Sequence, residues 1–412
     1  MPRFLPRRHG AALAALLGCL ALALLLYHDL AGGTLLQHNP YDSYALQAEN
    51  WLAGRIWIED GEAYPWLELA VYQGRYYQSF PPVPAAALLP FVALGGGAQA
   101  VPSNLICGVY GLLAAAGVYG CFWRRGAPPA AAAFFALFCA GGSNLFWLST
   151  SGGVWFLAQV LGFCLAVWGI FWALGHTLPQ QALAGFCLAA AVGCRPFYVL
   201  LLGLWALRGL RLARGRRGAL PKLAAAWAPV AGVAALLMGY NCARFGSVVE
   251  FGHNYLPEFQ RAEHGQFGLA YLLPNLLNLL RPVTLTADGS LQFEHFNGFF
   301  FLAADPLFLL WLLAAVRALR SRAAAGGRDL PFPTGGRVLG AVFLAALVLT
   351  CLHKTLGGWQ FGARYLVDLQ VYPLLWFLGR TGPEDAPGPA AWGLCGAAVL
   401  FNLYGAVYML GV

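Results

Sequence analysis

Charged residues are scarce in this chain of 412 residues: Asp, Glu, Lys and Arg together make up 10% of it, against roughly 25% in an ordinary soluble domain. No Cys-x-x-Cys pair is present, and almost all of the ten cysteines lie inside apolar stretches. A disulfide framework and a zinc site are therefore not expected. The sequence also lacks internal repeats, low-complexity tracts and any separate soluble domain.

Apolar residues account for 59% of the chain, and they are grouped into runs, many of which approach the roughly 20 residues that cross a bilayer as a helix. A helix satisfies its own backbone hydrogen bonds in lipid. We therefore predict an all-α fold, a polytopic transmembrane helical bundle that forms one integral membrane domain over 1–412 in the cell membrane. The runs cover 11–27, 82–98, 101–123, 127–149, 154–174, 181–194, 196–210, 223–240, 299–318, 338–352, 366–379 and 391–410.

The basic residues indicate the orientation, because Lys and Arg favour cytoplasmic loops. Of the 25 basic residues, 17 fall in five clusters, whereas seven of the 17 acidic residues crowd into 29–68. We predict about 11 crossings, with the N-terminus inside, the C-terminus outside and a retained first helix. The net charge of +8 is then an orientation signal and not a sign of nucleic-acid binding. The basic clusters are 3–8, 124–125, 208–222, 317–337 and Arg380, and the predicted outer loops are 28–81, 241–298 and 353–365.

One apolar run does not fit this count, because six runs separate the acidic loop from the basic cluster 208–222. Six crossings place that cluster outside, so one run must fail to cross. The best candidate is 82–98, which opens with prolines and ends in three glycines. The alternative is a single long helix over 181–207, which buries Arg195 at an unfavourable depth.

The first outer loop contains a short amphipathic stretch, 39–54, in which Tyr41, Ala45, Ala48 and Leu52 recur at helical spacing. A helix of this length and pattern is expected to lie along the membrane surface. Asp42 and Glu49 are seven residues apart, which places them on one face about 10 Å apart. Asp42 either caps this helix or acts as a carboxylate base, and the residues alone favour the cap.

The order of these features resembles the GT-C superfamily of membrane glycosyltransferases, which includes protein O-mannosyltransferases and lipid A aminoarabinose transferases. The matching pieces are Asp42 with Tyr44, Ala48 and Glu49, and the pair Pro81-Pro82 that opens the next apolar run. Segments 74–82, 240–246 and 358–365 are similar to a bacterial branch of GT-C-like proteins. Two departures are the absence of Asp-x-Asp from the outer loops and the presence of Phe80 where a charged residue is often found.

The resemblance implies transfer of a sugar from a polyprenyl-phosphate donor to an acceptor hydroxyl on the extracytoplasmic face, with inversion. The missing Asp-x-Asp argues against a metal site, and no cofactor is expected. The acceptor is a glycan, a lipid or a protein, and the remaining partners are membrane lipids. Such a reaction needs a carboxylate base, for which Asp42 is the first candidate and Glu49 and Glu68 are the alternatives. A transporter or flippase of a lipid-linked substrate is the competing function, although such proteins usually show an inverted repeat.

The departing lipid phosphate also needs cations, and arginine suits phosphate because its planar fork donates two parallel hydrogen bonds. Arg195, Arg244 and Arg364 each stand at the edge of an apolar run on the predicted outer side. Intramembrane charges tend to mark function, and the alternative for each is snorkelling to lipid headgroups. Three further candidates for substrate binding are Tyr76, Gln360 and His264, of which a lone loop histidine is more often incidental.

Overall fold

The computed structural model describes residues 6–213, 219–287, 289–320, 330–333 and 335–411. Some of the basic residues on which the predicted orientation rests lie outside the described residues. They comprise Arg3, Arg214, Arg216, Arg217, Arg322 and Arg328, together with the side chains of Arg208 and Arg211.

The described residues are mostly helical, as the apolar runs predict. The helices are α1 (Arg7–Leu30), α2 (Ser43–Leu52), α3 (Val83–Gly95), α4 (Ser103–Arg124), α5 (Pro129–Ala140), α6 (Leu145–Leu148), α7 (Val154–Ala173), α8 (Leu178–Val192), α9 (Val199–Ala213), α10 (Ala219–Phe245), α11 (Pro257–Gln260), α12 (Leu272–Leu279), α13 (Phe301–Ala304), α14 (Leu307–Arg320), α15 (Gly336–Leu352), α16 (Val371–Leu378) and α17 (Pro389–Tyr408).

Five of these helices are long and apolar enough to cross a membrane: α1, α4, α7, α17 and most of α10. Six shorter apolar helices of 10–17 residues accompany them. The chain is therefore a membrane protein built as a helical bundle, while the count of about 11 crossings stays a prediction.

The all-α prediction needs one correction, because two small antiparallel sheets are present in the segments that the sequence predicts as outer loops. Strands β1 (Leu69–Tyr72) and β2 (Arg75–Gln78) form a hairpin with Leu69 opposite Gln78. Gln73 and Gly74 make its two-residue turn, and both have positive φ, 49° and 74°. This backbone matches the twist of the flanking strands. A second pair, β3 (Thr284–Leu285) and β4 (Leu291–Gln292), lies in the next outer loop.

Helices α4 and α7 pack side by side, and the contacts at their ends show that they run in the same direction. At one end, Asn39 N donates to Ser103 Oγ, and Val154 N donates to Tyr41 O. At the other end, the Arg124 guanidinium donates to Phe171 O at 2.6 Å. The first end therefore carries the acidic loop and the second carries the Arg124 cluster, in agreement with the separation of charge along the sequence.

Both ends of α3 lie on the side of the bundle that carries α2. The backbone N–H of Val83 donates to Gly193 O at its start, and Gly97 lies against the Glu49 carboxylate just beyond its end. Its 13 residues span only about 20 Å at 1.5 Å per residue. This is the segment for which the parity of the apolar runs predicts no crossing.

The amphipathic pattern of α2 predicts a helix that lies along the membrane surface. In the structure, this short helix is instead enclosed by other parts of the protein. Seven of its ten residues are buried, because α3 packs along one side and β2 contacts another. Asp42 precedes it as the N-cap, and Gly54 follows its end with a φ of 75°. The predicted helix is therefore present, and its surroundings differ from the prediction.

The position of α3 can be tested by cysteine labelling in a background that lacks the exposed Cys19 and Cys242. We expect Gln99→Cys, in the turn after α3, to react in intact cells with a thiol reagent that does not cross the membrane. Ala130→Cys, at the opposite end of the bundle, should react only after permeabilisation. Protection of Gln99→Cys in intact cells, with labelling after permeabilisation, would contradict the placement of both ends of α3 outside.

A candidate active site at the outer ends of the helices

Asp42 caps α2 with one of its carboxylate oxygens, and the other oxygen takes no part in the cap. Its Oδ1 accepts a hydrogen bond from Ala45 N at 3.0 Å, whereas Oδ2 has no partner among the described residues. The side chain is only 1% exposed, and burial raises the pKa of Asp42 from its ordinary value of 3.8 to about 7. Asp42 can therefore cap the helix and also act as a base, because capping uses only one of its two carboxylate oxygens.

A network of hydrogen bonds holds the loop that precedes Asp42. The side-chain amide of Asn39 donates to Asn104 Oδ1 and to Ser151 Oγ, both at 3.0 Å. Asn104 Oδ1 also accepts from Gly152 N at 2.8 Å. These bonds tie the loop to the start of α4 and to the turn before α7, so two long helices hold the carboxylate in place.

Arg195 and Arg364 come together around one aromatic ring. The Tyr365 ring centroid is 4.6 Å from Arg195 Cζ and 5.0 Å from Arg364 Cζ. Arg195 Nε donates to Asp368 Oδ2 at 2.9 Å, and Tyr198 Oη donates to the other oxygen of Asp368 at 3.3 Å. The pair thus brings two positive charges to Tyr365, and Asp368 forms an ion pair with one of them.

Arg364 is held from several directions. Gln159 Oε1 accepts from its guanidinium at 3.1 Å, and the Gln159 amide donates to Arg364 O at 2.9 Å. Gly357 O accepts two further guanidinium bonds, at 3.0 and 2.6 Å. Gln360, a predicted substrate ligand, is fully buried and accepts from Arg364 N at 2.7 Å. It therefore positions the backbone of Arg364.

Tyr44 connects the carboxylate side of the site to the arginine side. Its ring is fully buried and its hydroxyl has no partner among the described residues. Burial raises the pKa of Tyr44, the Arg195 charge lowers it and the Asp42 charge raises it. The Tyr44 hydroxyl is thus a buried hydrogen-bond donor on α2 that both charges affect.

Of the two alternative carboxylates, the structure brings only Glu68 near the arginines. Glu68 Oε2 accepts from Trp155 Nε1 at 2.9 Å. Burial raises the pKa of Glu68, and the Arg364 charge acts in the opposite direction. Glu49 is exposed on α2 and faces Gly97. The expected common face for Asp42 and Glu49 is not seen, because Asp42 precedes the helix and turns inward as its cap.

Arg244 lies apart from the other two arginines and supports the hairpin. Its guanidinium donates to Gln78 O at 2.6 Å and to Asn241 Oδ1 at 3.0 Å, and it stacks 4.2 Å from the Tyr240 ring centroid. Gln78 in turn donates to Ser43 Oγ at 2.9 Å, at the start of α2. Arg244 thus reaches the candidate site indirectly, through β2.

Tyr76 and His264, two predicted substrate-binding residues, lie away from the other candidate site residues. The Tyr76 ring packs on Gly61, and its backbone bridges to Ile58. His264 is exposed and lies edge-on to Tyr271, with 5.9 Å between ring centroids. The structure gives neither residue a contact with Asp42, Arg195 or Arg364.

His253 and His353, two histidines of the predicted outer loops, lie close enough to Arg195 for its charge to affect both. His253 Nδ1 donates to Ser79 O at 2.6 Å, and His353 Nδ1 donates to Thr355 O at 2.8 Å. Phe259 lies 5.5 Å from each ring. Burial is the main cause that lowers the pKa of both histidines to about 4, and the Arg195 charge adds to it. Both imidazoles are therefore neutral at pH 7, with Nε2 as an acceptor.

The sequence analysis also did not identify other residues of the site, although the sequence contains a sign of some of them. Gln159 and Asp368 are polar residues inside apolar runs, and such residues tend to mark functional sites. The histidines left no signal, because 100 residues separate them in the chain. Within the described residues, no three His, Cys, Asp or Glu side chains come together as a metal cluster.

No protein-family model and no curated protein matches the sequence. Solved structures do match. The apo oligosaccharyltransferase of Archaeoglobus fulgidus has a TM-score of 0.53 at 14% identity, covering 96% of this chain and 56% of that one. ArnT from Cupriavidus metallidurans, in complex with undecaprenyl phosphate, has a TM-score of 0.51 at 15% identity, covering 91% of this chain and 62% of that one.

These similarities show that the chain has the fold of GT-C glycosyltransferases, so the resemblance seen in the sequence is confirmed at the level of the fold. The chain spans 56% to 62% of the length of these two structures. At 14% to 15% identity the comparison concerns the fold, and the roles of individual residues rest on the geometry described above.

The central position of Gln159 gives a stability prediction. Gln159→Leu should lower the free energy of unfolding by about 1–3 kcal/mol, because it leaves buried hydrogen-bonding groups of Arg364 unpaired. Gln99→Leu is the matched control at an exposed position and should change it by less than about 0.5 kcal/mol. Thermal unfolding of the purified proteins in detergent measures both, and equal midpoints for the two variants would contradict the assigned role of Gln159.

Proposed function

We propose that this protein is a membrane glycosyltransferase that moves a sugar from a polyprenyl-phosphate donor to an acceptor hydroxyl on the extracytoplasmic face, with inversion. The observation that carries the proposal is a buried carboxylate, Asp42, with one oxygen that has no partner among the described residues, in a structure that also brings Arg195 and Arg364 together at Tyr365. The free oxygen of Asp42 supplies a proton acceptor. The arginine pair supplies the positive charge that a departing phosphate needs.

In the proposed step, the acceptor oxygen attacks the anomeric carbon while Asp42 Oδ2 takes its proton. The bond between that carbon and the phosphate oxygen breaks, and the polyprenyl phosphate leaves with the bonding electrons. A single displacement inverts the anomeric centre. A base is most effective when its pKa lies near the working pH, and the value of about 7 for Asp42 meets this condition.

The leaving group gains negative charge as the bond breaks, because a phosphodiester becomes a phosphate monoester. Fixed cations that face this developing charge stabilise the transition state more than the ground state. Arg195 and Arg364 are suited to this role because their protein partners already orient them. The Tyr44 hydroxyl is placed to donate to the same phosphate or to the sugar.

Two neighbours in the comparison support a lipid-phosphate donor. One solved structure of ArnT contains undecaprenyl phosphate, and the other neighbour is named as an oligosaccharyltransferase. The chain spans little more than half of either protein, so the acceptor is left open as a glycan, a lipid or a protein. A cell-membrane location with several crossings is part of the same proposal.

Transport of a lipid-linked substrate is the second candidate, and one observation favours it. The helix pair α5 and α6 is interrupted by the buried residues 141–144, and broken helices are a feature of transporters. Transport requires no proton acceptor at Asp42, so the substitution of that residue separates the two functions.

Asp42→Asn should abolish sugar transfer while leaving folding and membrane insertion intact. The amide is nearly isosteric and still caps the helix, whereas loss of a general base costs roughly 10²–10⁴-fold in rate. The assay is transfer of radiolabelled sugar from polyprenyl-phosphate sugars in membranes that contain the protein. Glu49→Gln is the matched control and should retain activity, since Glu49 faces away from the arginines.

Three outcomes reassign this function. Full activity of Asp42→Asn together with loss in Glu68→Gln moves the base to Glu68. Loss of activity only in Glu49→Gln contradicts the geometry described here. No dependence on any of the three carboxylates overturns the glycosyltransferase mechanism and favours the transporter.

The pKa of Asp42 predicts opposite effects of pH on activity and on stability. Activity should rise with pH through about 7, as the carboxylate ionises. The folded protein binds this proton more tightly than the unfolded chain does. The free energy of unfolding should therefore decrease as pH rises from about 4 to about 7. The thermal midpoint of Asp42→Asn relative to wild type should therefore increase over this interval. A constant difference in midpoint would contradict the raised pKa.

The arginine pair predicts the binding of the lipid product. Arg195→Lys and Arg364→Lys should each weaken binding of undecaprenyl phosphate by about tenfold or more, because lysine cannot reproduce the two-pronged hydrogen bonding. Arg75→Lys is the control, since Arg75 is exposed and stacks on Trp57. Native mass spectrometry of the detergent-solubilised protein measures the affinities. Unchanged binding in both variants would return these arginines to a structural role.

A further inference from the structure

An aromatic patch lies against the loop that leads into α2. Trp66 Nε1 donates to Pro40 O at 3.0 Å, and the Tyr41 ring centroid lies 5.6 Å from that of Trp155. Tyr64 meets the Trp66 ring edge-on, with 5.8 Å between the centroids. The aromatic patch consists of Tyr41, Tyr64, Trp66 and Trp155. Its members come from three separate parts of the chain, and these contacts join them in space.

The aromatic patch presents ring surface to the outside of the protein. Trp66 is 50% exposed and Tyr41 is 43% exposed, while Tyr64 and Trp155 are partly buried. Single exposed aromatic residues need no explanation, whereas exposed apolar groups that cluster tend to mark a site of interaction. The patch therefore offers the faces of several rings to a ligand.

The aromatic patch adjoins the candidate active site in the chain and in space. Tyr41 directly precedes the proposed base. Trp155 Nε1 donates to Glu68 Oε2 at 2.9 Å. The residue after Trp155 is Phe156, whose ring centroid lies 5.6 Å from Arg364 Cζ. The patch is therefore next to the residues to which the proposed function assigns the reaction.

Aromatic residues are also common at membrane interfaces, where they anchor a protein with the polar end of the ring in the wet headgroup layer. In the aromatic patch, the indole N–H groups of Trp66 and Trp155 both donate within the protein, which fixes the orientation of the two rings. Exposed carboxylates stand in the same loop, at Glu59, Asp60 and Glu62, and they disfavour contact with anionic headgroups. Both observations favour a ligand over lipid.

We propose that the aromatic patch binds a sugar ring of the acceptor, and that this acceptor is an uncharged glycan. The inference rests on the proposed function, whose acceptor it specifies. The C–H groups of a sugar ring carry slight positive charge, which suits the negative faces of aromatic rings. Glu68 supplies the polar partner, because its Oε1 has no hydrogen-bond partner among the described residues and its side chain is only partly buried. A carboxylate oxygen accepts hydrogen bonds from sugar hydroxyls.

The charge of this surface favours an uncharged acceptor. Segment 56–74, which contributes Tyr64, Trp66 and Glu68, contains four acidic residues and no basic one. These carboxylates repel an anionic acceptor such as a phosphorylated lipid. A sugar ring presents an apolar face and hydroxyl groups together, and it therefore matches ring faces that stand beside one acceptor oxygen.

The test is the binding of the full-length protein, held in lipid nanodiscs, to an array of immobilised uncharged and anionic oligosaccharides. Nanodiscs replace maltoside detergents, because the sugar headgroups of such detergents compete for the same patch. We expect binding to uncharged oligosaccharides. Trp66→Ala should weaken this binding by about tenfold or more, as truncation of an aromatic contact at the centre of an interface does.

Three further variants make the result specific to the ring face. Trp66→Phe keeps a ring and should retain most of the binding, although it loses the hydrogen bond to Pro40. Tyr41→Ala removes a ring from a different part of the chain and should also weaken binding, even if Trp66→Ala fails to fold. Trp359→Ala is the matched control and should bind like the wild type, because Trp359 is 51% exposed but packs beside His295.

The array needs neither donor nor transfer, so its result is independent of the proposed function. Binding that depends on Trp66, in a protein that transfers no sugar, supports the patch as a sugar site and rejects the enzyme. Where transfer occurs, the oligosaccharide bound best serves as acceptor. Trp66→Ala should then raise the KM for this acceptor by about tenfold with little change in kcat, because it removes binding that the ground state and the transition state share.

The inference is overturned if the wild-type protein binds no uncharged oligosaccharide, or if it prefers the anionic ones. Equal loss of binding in Trp66→Ala and Trp359→Ala also overturns it, since this result indicates anchoring of the protein in the membrane. Transfer that depends on Asp42 but uses a peptide or lipid acceptor, with a KM that Trp66→Ala leaves unchanged, rejects the patch and retains the proposed enzyme.

Discussion

The ion pair between Arg195 and Asp368 is the interaction on which the candidate site depends. Arg195 follows α8 and Asp368 precedes α16, so the pair joins two parts of the bundle that are 173 residues apart in the chain. Breaking such a pair leaves one charge buried without compensation, which typically costs 3–5 kcal/mol. Tyr365, Tyr198 and Gln159 are arranged around these two residues, and through them Arg364 acquires its position.

The groups around this ion pair differ in their protonation at neutral pH. His253 and His353 stay neutral, because their pKa values lie near 4, while the value of about 7 for Asp42 makes its proton exchangeable. Asp42 is thus a carboxylate whose charge changes near neutral pH, as the proposed base-assisted transfer from a phosphate ester requires.

Within the described residues, several polar atoms are buried without a hydrogen-bond partner. Asp42, Tyr44 and Gln47 each have such atoms on or next to α2. Natural proteins seldom leave buried polar groups unpaired, and they tend to keep unsatisfied groups where function needs them. The unpaired atoms around α2 therefore support the choice of this helix as part of the candidate site.

The sequence by itself determined the membrane class, the helical bundle, the early Asp42 helix and the separation of acidic from basic residues, because hydrophobic length and charge bias act locally along the chain. Parity also predicts that 82–98 does not cross the membrane. The hairpin of β1 and β2 was missed, although Gln73-Gly74 between aromatic residues is a recognisable turn signal. These are properties of neighbouring residues, and they can be read from one sequence.

Tertiary structure alone decided which distant polar residues meet. Arg195 and Arg364 share Tyr365 while Arg244 supports the hairpin, although all three occupy similar positions at the edges of apolar runs. Glu68 approaches the arginines and Glu49 does not, because the cap geometry turns Asp42 inward and leaves Glu49 exposed. Such distinctions depend on how helices pack across more than a hundred residues, and helical periodicity carries no information about that packing.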